Sequence, residues 1–102
     1  MNDVIKINKP FLGSAEFIAA ARQAVFDIVR QQLDPTDEVK LSIDDIYEVT
    51  HSCVLGYQKA MISTPLPDGK YYEVTYNKTH NLMYVDCYVR YAQHVFDIEL
   101  NG

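Results

Sequence analysis

The spacing of the apolar residues changes once along this chain, and that change limits its fold more than any other feature. Between residues 14 and 33 apolar side chains recur at intervals of three and four, which is the repeat of one helix face. Beyond residue 46 they fall in short runs rich in β-branched and aromatic residues, which are typical of strands. Because 102 residues suffice for one core but not for two, we expect a single α+β domain over residues 1–102.

The helical part begins at Ser14, which is a favourable N-cap, and Glu16 suits the first turn of a helix. A leader of residues 1–13 precedes it and carries no clear period. The helix runs to about Leu33 and ends at Asp34, because a residue before proline avoids the α conformation. Its apolar stripe consists of Phe17, Ile18, Ala21, Ala24, Val25, Ile28, Val29 and Leu33.

The β part divides into runs separated by turn residues. Short connections between successive strands predict an antiparallel meander, and the N-terminal helix should pack on one of its faces. The four predicted strands are Ile46–Val54, Tyr57–Thr64, Lys70–Tyr76 and Leu82–Val89. Alternation in the last run predicts an inner set, Met83, Val85, Cys87 and Val89, and an outer set, Tyr84, Asp86 and Tyr88. Residues 90–98 fit either a short closing helix or a longer last strand, and we favour the helix.

One stretch, Asp34 to Glu48, accounts for the whole net charge of -5. Lys40 is its single base, whereas its acids are Asp34, Asp37, Glu38, Asp44, Asp45 and Glu48. A patch of one sign attracts cations or basic partners and repels nucleic acid. The same acids could instead form a solvated loop that caps its neighbours.

Several short sequences in the β part recur together in other small proteins. They are Asp44-Asp45-Ile46-Tyr47, Cys53, Lys59-Ala60-Met61-Ile62-Ser63-Thr64, Asp68-Gly69-Lys70-Tyr71-Tyr72-Glu73-Val74-Thr75-Tyr76-Asn77 and Tyr84-Val85-Asp86-Cys87-Tyr88. This order resembles a family of small uncharacterised proteins from phages and prophages of Gram-positive bacteria. The resemblance implies a phage accessory protein and carries no reaction, so it assigns no catalytic residue. This chain departs from it in a longer leader, a shorter first hairpin and His51 where an aromatic residue is expected.

Known catalytic and metal motifs are missing from the sequence. No phosphate-binding glycine loop, nucleophile elbow or dinucleotide fingerprint occurs, and no glycine lies between Asp34 and Glu48 as an EF-hand loop requires. His51 and Cys53 share a strand face, but zinc needs three or four ligands at a suitable spacing. We therefore expect no enzyme activity, no metal and no cofactor. A separate hypothesis is a small enzyme with a pocket around His51, Cys53 or Asp86.

Tyrosine is the unusual residue, with eight copies and no tryptophan, and six of the eight lie in the last two predicted strands and their exit. Aromatic surfaces that bind single-stranded nucleic acid also carry a basic groove, whereas here Glu73 and Asp86 offset the few bases nearby. We therefore predict a protein partner, no direct nucleic-acid contact and no membrane contact. The predicted contact residues are Asp34, Asp37, Glu38, Asp44, Asp45, Glu48, Tyr84, Asp86 and Tyr88.

The most concrete form of this hypothesis is inhibition of a host defence or nucleic-acid enzyme, by analogy with anti-CRISPR proteins. The acids would occupy a basic groove that DNA phosphates normally fill. The alternative is a self-associating structural or regulatory domain, a homodimer with the tyrosines buried between two copies. No run approaches the roughly 20 apolar residues of a membrane span, and residues 1–11 lack the apolar core of a secretory signal, so we expect a protein of the bacterial host cytoplasm.

Overall fold

The computed structural model describes residues 3–9, 12–34, 36 and 40–101. Helix α1 (Ser14–Gln32) is followed by a turn of 3-10 helix at Ile43–Asp45 and by four strands. The strands are β1 (Tyr47–Val54), β2 (Tyr57–Ser63), β3 (Lys70–Asn77) and β4 (Leu82–Val89). They form one antiparallel sheet in the order β1-β2-β3-β4. The predicted α+β architecture, a helix on a four-stranded meander, is therefore confirmed.

The start of α1 differs by one residue from the expectation. Gly13 is the N-cap and Ser14 already lies in the helix, so no side chain caps the first turn. The Glu16 carboxylate instead forms an ion pair with Lys9 of the leader at 2.6 Å. At the other end the Leu33 N–H donates to the Val29 carbonyl, and Leu33 itself has extended backbone angles. The helix thus stops one residue before the expected Leu33.

The core lies between α1 and one face of the sheet. The helix packs mainly over β1, β2 and β3. Every buried apolar side chain removed from water contributes roughly 1.5–3 kcal/mol, so this layer supplies most of the stability of the fold. Its buried members are Phe17, Ala21, Val25, Val29, Ile46, Ala60, Ile62, Tyr72 and Val74.

The predicted alternation in β4 holds, but only part of its inner set is covered. Met83 and Val85 pack against the core, and Tyr84, Asp86 and Tyr88 are exposed on the other face. Cys87 and Val89 are exposed as well. They share the inner side with Val85, but α1 lies over the other three strands and leaves this end of β4 open.

Each of the three connections of the meander contains backbone with positive φ, at Leu55 and Gly56, at Gly69 and at Asn81. Leu55 and Gly56 join β1 to β2 with φ values of 52° and 84°, as a two-residue type I′ hairpin requires. At Gly56 a Cβ would also lie 2.9 Å from Cδ of Lys78, a flexible side chain that can move aside, so the main cost of a larger residue is the backbone strain of its positive φ. The edge strand β1 contains a β-bulge between Glu48 and Thr50.

The favoured closing helix over residues 90–98 is wrong. Residues 90–101 have no regular secondary structure, and their side chains are exposed. The Arg90 N–H still donates to the Gly69 carbonyl at 2.8 Å, which extends the β3–β4 ladder by one residue. A helix of nine residues is unstable without a surface to pack on, and the open segment lies beyond the reach of α1.

Candidate protein-binding surface

The face of the sheet opposite α1 displays a group of tyrosines. Tyr57 lies on β2, Tyr71 on β3, and Tyr84 and Tyr88 on β4, and we call these four residues the tyrosine face. Their exposed fractions lie between 38% and 47%. No helix or strand within the described residues forms a second layer over them. The tyrosine face is therefore a broad aromatic surface on a rigid sheet.

Neighbouring groups hold three of these four rings in place. Tyr71 and Tyr88 are cross-strand partners, and their rings stack with centroids 5.2 Å apart and an interplanar angle of 12°. The hydroxyl groups of Tyr57 and Thr79 share a hydrogen bond. Stacked aromatic pairs contribute roughly 0.5–1.5 kcal/mol beyond their buried area, so the surface is ordered before any partner arrives.

Charged residues occupy the centre of this face. Lys59 on β2 forms an ion pair with Glu73 on β3 at 3.4 Å. Asp86 lies directly opposite Glu73 in the β3–β4 register. The group therefore holds two carboxylates for one ammonium, and the excess negative charge lies between tyrosine rings. Such a surface suits a partner that brings an apolar patch with a basic side chain near its centre.

The acidic stretch partly serves the local backbone. Asp34 accepts hydrogen bonds from the Thr36 N–H and hydroxyl, at 2.9 and 2.8 Å, and these bonds hold the pKa of its carboxyl below the usual range. Asp45 accepts a hydrogen bond from the Ser42 N–H at 2.8 Å and closes a capping-box turn. Asp44 forms only a long ion pair with Arg22, at 4.0 Å, and its side chain is 94% exposed, so its carboxylate is accessible to a partner. Glu48 is also exposed, and Asp37 and Glu38 lie outside the described residues.

The residues predicted as one contact surface fall at two edges of the sheet. Asp44, Asp45 and Glu48 lie at the start of β1, whereas Tyr84, Asp86 and Tyr88 lie on β4. Three strand spacings separate these edges, on the order of 14 Å. The structure instead brings Tyr57 and Tyr71 to the β4 residues. Their alternation was visible in the sequence, but only the strand register shows that they share one surface.

His51 and the cysteines are not arranged as a metal or catalytic site. The His51 Nε2 atom lies 2.8 Å from Oε1 of Gln58, and its ring stacks on Phe17 with centroids 5.7 Å apart. Gln58 in turn donates to the Leu12 carbonyl at 2.9 Å, so the three side chains tie the leader to the core. Cys53 and Cys87 lie on opposite edge strands. Across the described ranges no three His, Cys, Asp or Glu side chains form a group that could hold a metal ion.

No helix within the described residues is long and apolar enough to cross a membrane. A comparison with protein-family models matches residues 18–98 to a family of unknown function (DUF6275). The match covers α1 from its second turn onward and all four strands. The comparisons with curated proteins and with solved structures gave no match.

Proposed function

We propose that this chain, which belongs to the family of unknown function DUF6275, acts without catalysis by binding another protein through its tyrosine face. One observation carries the proposal: four tyrosines from three strands lie part-exposed on the side of the sheet that α1 leaves open. Tyrosine is enriched at protein interfaces because it buries a large area, keeps a polar tip and loses little rotamer freedom.

The charges at the centre of the face narrow the class of partner. Glu73 and Asp86 together exceed the single ammonium of Lys59, so a polyanion such as DNA or RNA would be repelled here. A protein with a basic side chain inside an apolar patch would satisfy both the carboxylates and the rings. The partner in this proposal is a protein of the bacterial host, met in the cytoplasm by a phage or prophage product, as the resemblance of the β strands implies.

The acidic stretch supports a second candidate function, inhibition of a nucleic-acid enzyme of that host. The observation that favours it is the exposure of Asp44 and Glu48 at the edge of the domain. Their carboxylates would replace DNA phosphates in a basic groove, and such binding would weaken steeply as salt rises.

Affinity capture from a host lysate, followed by mass spectrometry, tests the first function. The double variant Tyr84→Ser, Tyr88→Ser should lower recovery of the captured protein about tenfold or more, because interface tyrosines are frequent hot spots. Leu55→Ser is the control, since Leu55 is 86% exposed and lies in the β1–β2 turn, outside the tyrosine face. Equal recovery by the double variant and the wild type would refute binding through this face.

The second function has its own variant, Asp44→Asn with Glu48→Gln. This change removes two exposed carboxylates and leaves the capping carboxylate of Asp45 in place. A nuclease or other nucleic-acid enzyme that the wild type captures, and that this variant releases at lower salt, would support inhibition by charge. Capture with the same salt dependence in both proteins would exclude the acidic stretch from partner binding.

A further inference from the structure

Residues 90–101, which we call the arm, extend from β4 without covering any apolar surface of their own chain. Five of their large side chains are 78–102% exposed: Tyr91, Val95, Phe96, Ile98 and Leu100. The radius of gyration of the molecule is 16.1 Å. A compact domain of this length would have a value of about 13 Å. The arm thus exposes an apolar surface that a partner must cover.

The sequence of the arm indicates what kind of surface that partner offers. Apolar and acidic residues alternate strictly from Phe96 to Leu100, in the order Phe-Asp-Ile-Glu-Leu. Such alternation is typical of a strand with one buried face. A single strand is unstable in water, because its backbone groups need the edge of a sheet. The arm therefore requires a sheet edge with an apolar side.

The free edge of β4 meets this requirement. Because the Arg90 N–H is directed to Gly69 of β3, the N–H and C=O groups of Val85, Cys87 and Val89 point away from the sheet. On the side towards α1, Cys87 and Val89 are exposed. An added strand would find both open hydrogen-bonding groups and an apolar row here.

The arm cannot reach that edge in its own molecule by a tight turn. Residues 90–95 are Arg-Tyr-Ala-Gln-His-Val and include no Gly, Pro, Asn or Asp. Those residue types make short hairpin turns possible, and the backbone leaves Arg90 without reversing. The edge must come from another molecule.

Charge and area favour a second copy of this chain as that molecule. If Ile98 lies opposite Val89 of the other copy, then Leu100 lies opposite Cys87 and Asp97 opposite Arg90, a pair of opposite charges. In a twofold-symmetric dimer each copy contributes one arm. The two copies of Tyr91 and the two copies of Phe96 then bury on the order of 600–1,000 Å² by themselves. With the aliphatic residues this reaches the roughly 1,200–2,000 Å² of a stable interface.

We propose that two copies of this chain exchange arms, each arm pairing as a fifth strand with the free edge of β4 in the other copy. Phe96, Ile98 and Leu100 then lie on the same side of the sheet as Cys87 and Val89, which is the side that carries α1 over the other strands. The tyrosine face takes no part, so this interface and the proposed protein-binding surface coexist on one molecule.

The oligomeric state of the full chain in solution tests the proposal, by light scattering coupled to size-exclusion chromatography. The wild type should be a dimer, and Ile98→Asp should be a monomer with an unchanged circular dichroism spectrum, since Ile98 contacts no core residue. Leu55→Asp is the matched control: Leu55 is 86% exposed, lies in the β1–β2 turn, and should leave the dimer intact. A wild type that is monomeric at about 100 μM, or an Ile98→Asp variant that stays dimeric, would overturn arm exchange.

Reversal of the charges tests the register. Arg90→Glu and Asp97→Arg should each weaken dimerisation about tenfold, whereas the protein carrying both changes should recover most of that loss. Additive weakening in the double variant would contradict the pairing of these two residues. Dimerisation that is lost in Tyr84→Ser, Tyr88→Ser and kept in Ile98→Asp would place the interface on the tyrosine face and overturn the proposal.

Discussion

Tyr72 contributes its ring to the hydrophobic core and also buries its polar hydroxyl group there. Its ring is among the largest fully buried side chains, between α1 and β3. Its hydroxyl is buried near the Cys87 thiol but has no hydrogen bond of normal geometry within the described part of the chain. Burial, assisted by the charges of Cys87 and Asp68, raises the pKa of this phenol from 10.0 to about 12.

Replacing Tyr72 with phenylalanine should therefore raise the free energy of unfolding, by about 1 kcal/mol, because it removes a buried polar group without a good partner. The wild type should also lose stability as the pH rises from 10 towards 12, since the raised pKa means that the folded protein binds the phenolic proton more tightly than the unfolded chain does. Tyr72→Phe should lack that alkaline loss. Urea unfolding at pH 7 and at alkaline pH measures both effects.

The control for this substitution is Tyr76→Phe on the same strand. The Tyr76 hydroxyl donates to Oδ1 of Asn81 at 2.7 Å, so its removal breaks a formed hydrogen bond and should lower stability. Equal losses in both variants would show that the Tyr72 hydroxyl is satisfied in solution.

At the scale of elements, one arginine joins α1 to the start of the sheet. The Arg22 Nε and Nη2 atoms donate to the carbonyls of Ile46 and Ile43, at 2.7 and 2.9 Å. These carbonyls belong to the 3-10 turn and to the residue after it, and Ile46 itself is buried in the core. The guanidinium therefore positions the entry into β1 against the helix.

We predict that Arg22→Met lowers the free energy of unfolding by about 2 kcal/mol, because two charged hydrogen bonds are lost while the aliphatic volume is kept. Arg30→Met on the same helix is the matched control, since Arg30 is exposed, pairs with Asp27 and lies over the Phe26 ring, 5.2 Å from its centroid. These surface contacts together contribute on the order of 1 kcal/mol or less. Guanidinium unfolding of the two variants should separate them clearly, and equal losses would show that Arg22 has no clamping role.

The contact between the leader and α1 predicts an acid dependence. The hydrogen bond from Lys9 holds the pKa of Glu16 below its usual 4.5, so this contact stabilises the fold above that pH and is lost as the pH falls through the lowered value. Glu16→Gln should melt at a lower temperature than the wild type at pH 7, and the difference should shrink as the pH falls below 4.5. A difference that does not shrink in acid would assign the effect to packing rather than to charge.

The elements themselves differ in how far local sequence determines them. The stripe of α1 and the alternation of β4 indicate their own periods, because Val25 and Val29 repeat by four and Val85 and Cys87 by two. The helix predicted for residues 90–98 is wrong because the sequence fits two periods equally well. Ala92, Val95 and Phe96 fit a helix face, and Phe96, Ile98 and Leu100 fit one face of a strand. The choice between helix and strand depends on the surface that the segment packs against, and α1 does not extend over residues 90–101. The contact between Tyr71 and Tyr88 likewise depends on strand register, which the local sequence does not specify.

At the scale of the whole molecule, the arm is a structural addition to a finished domain. Its large side chains are exposed, and the core forms without them. In the monomer, unfolding should thus expose little further surface from the arm. Deletion of the arm should therefore leave the dependence of the unfolding free energy on denaturant concentration nearly unchanged.

A variant lacking residues 92–102 should consequently fold with the wild-type circular dichroism spectrum. If arms are exchanged, the thermal midpoint of the full chain rises with protein concentration, because association favours the folded state, whereas that of the shortened variant stays constant. Scanning calorimetry over a hundredfold range of concentration makes the comparison. A constant midpoint for both proteins would argue against association through the arm.

The bulge between Glu48 and Thr50 bears on how such an assembly stops growing. A bulge twists an outermost strand and disturbs its ladder, so β1 is a poor template for a further chain. Within the described residues, each molecule then offers one strand edge that can pair, on β4, and one arm. A reciprocal exchange between two molecules uses both. Arm exchange would then close as a pair instead of propagating into a filament, and it would cover the hydrocarbon that a single chain leaves exposed.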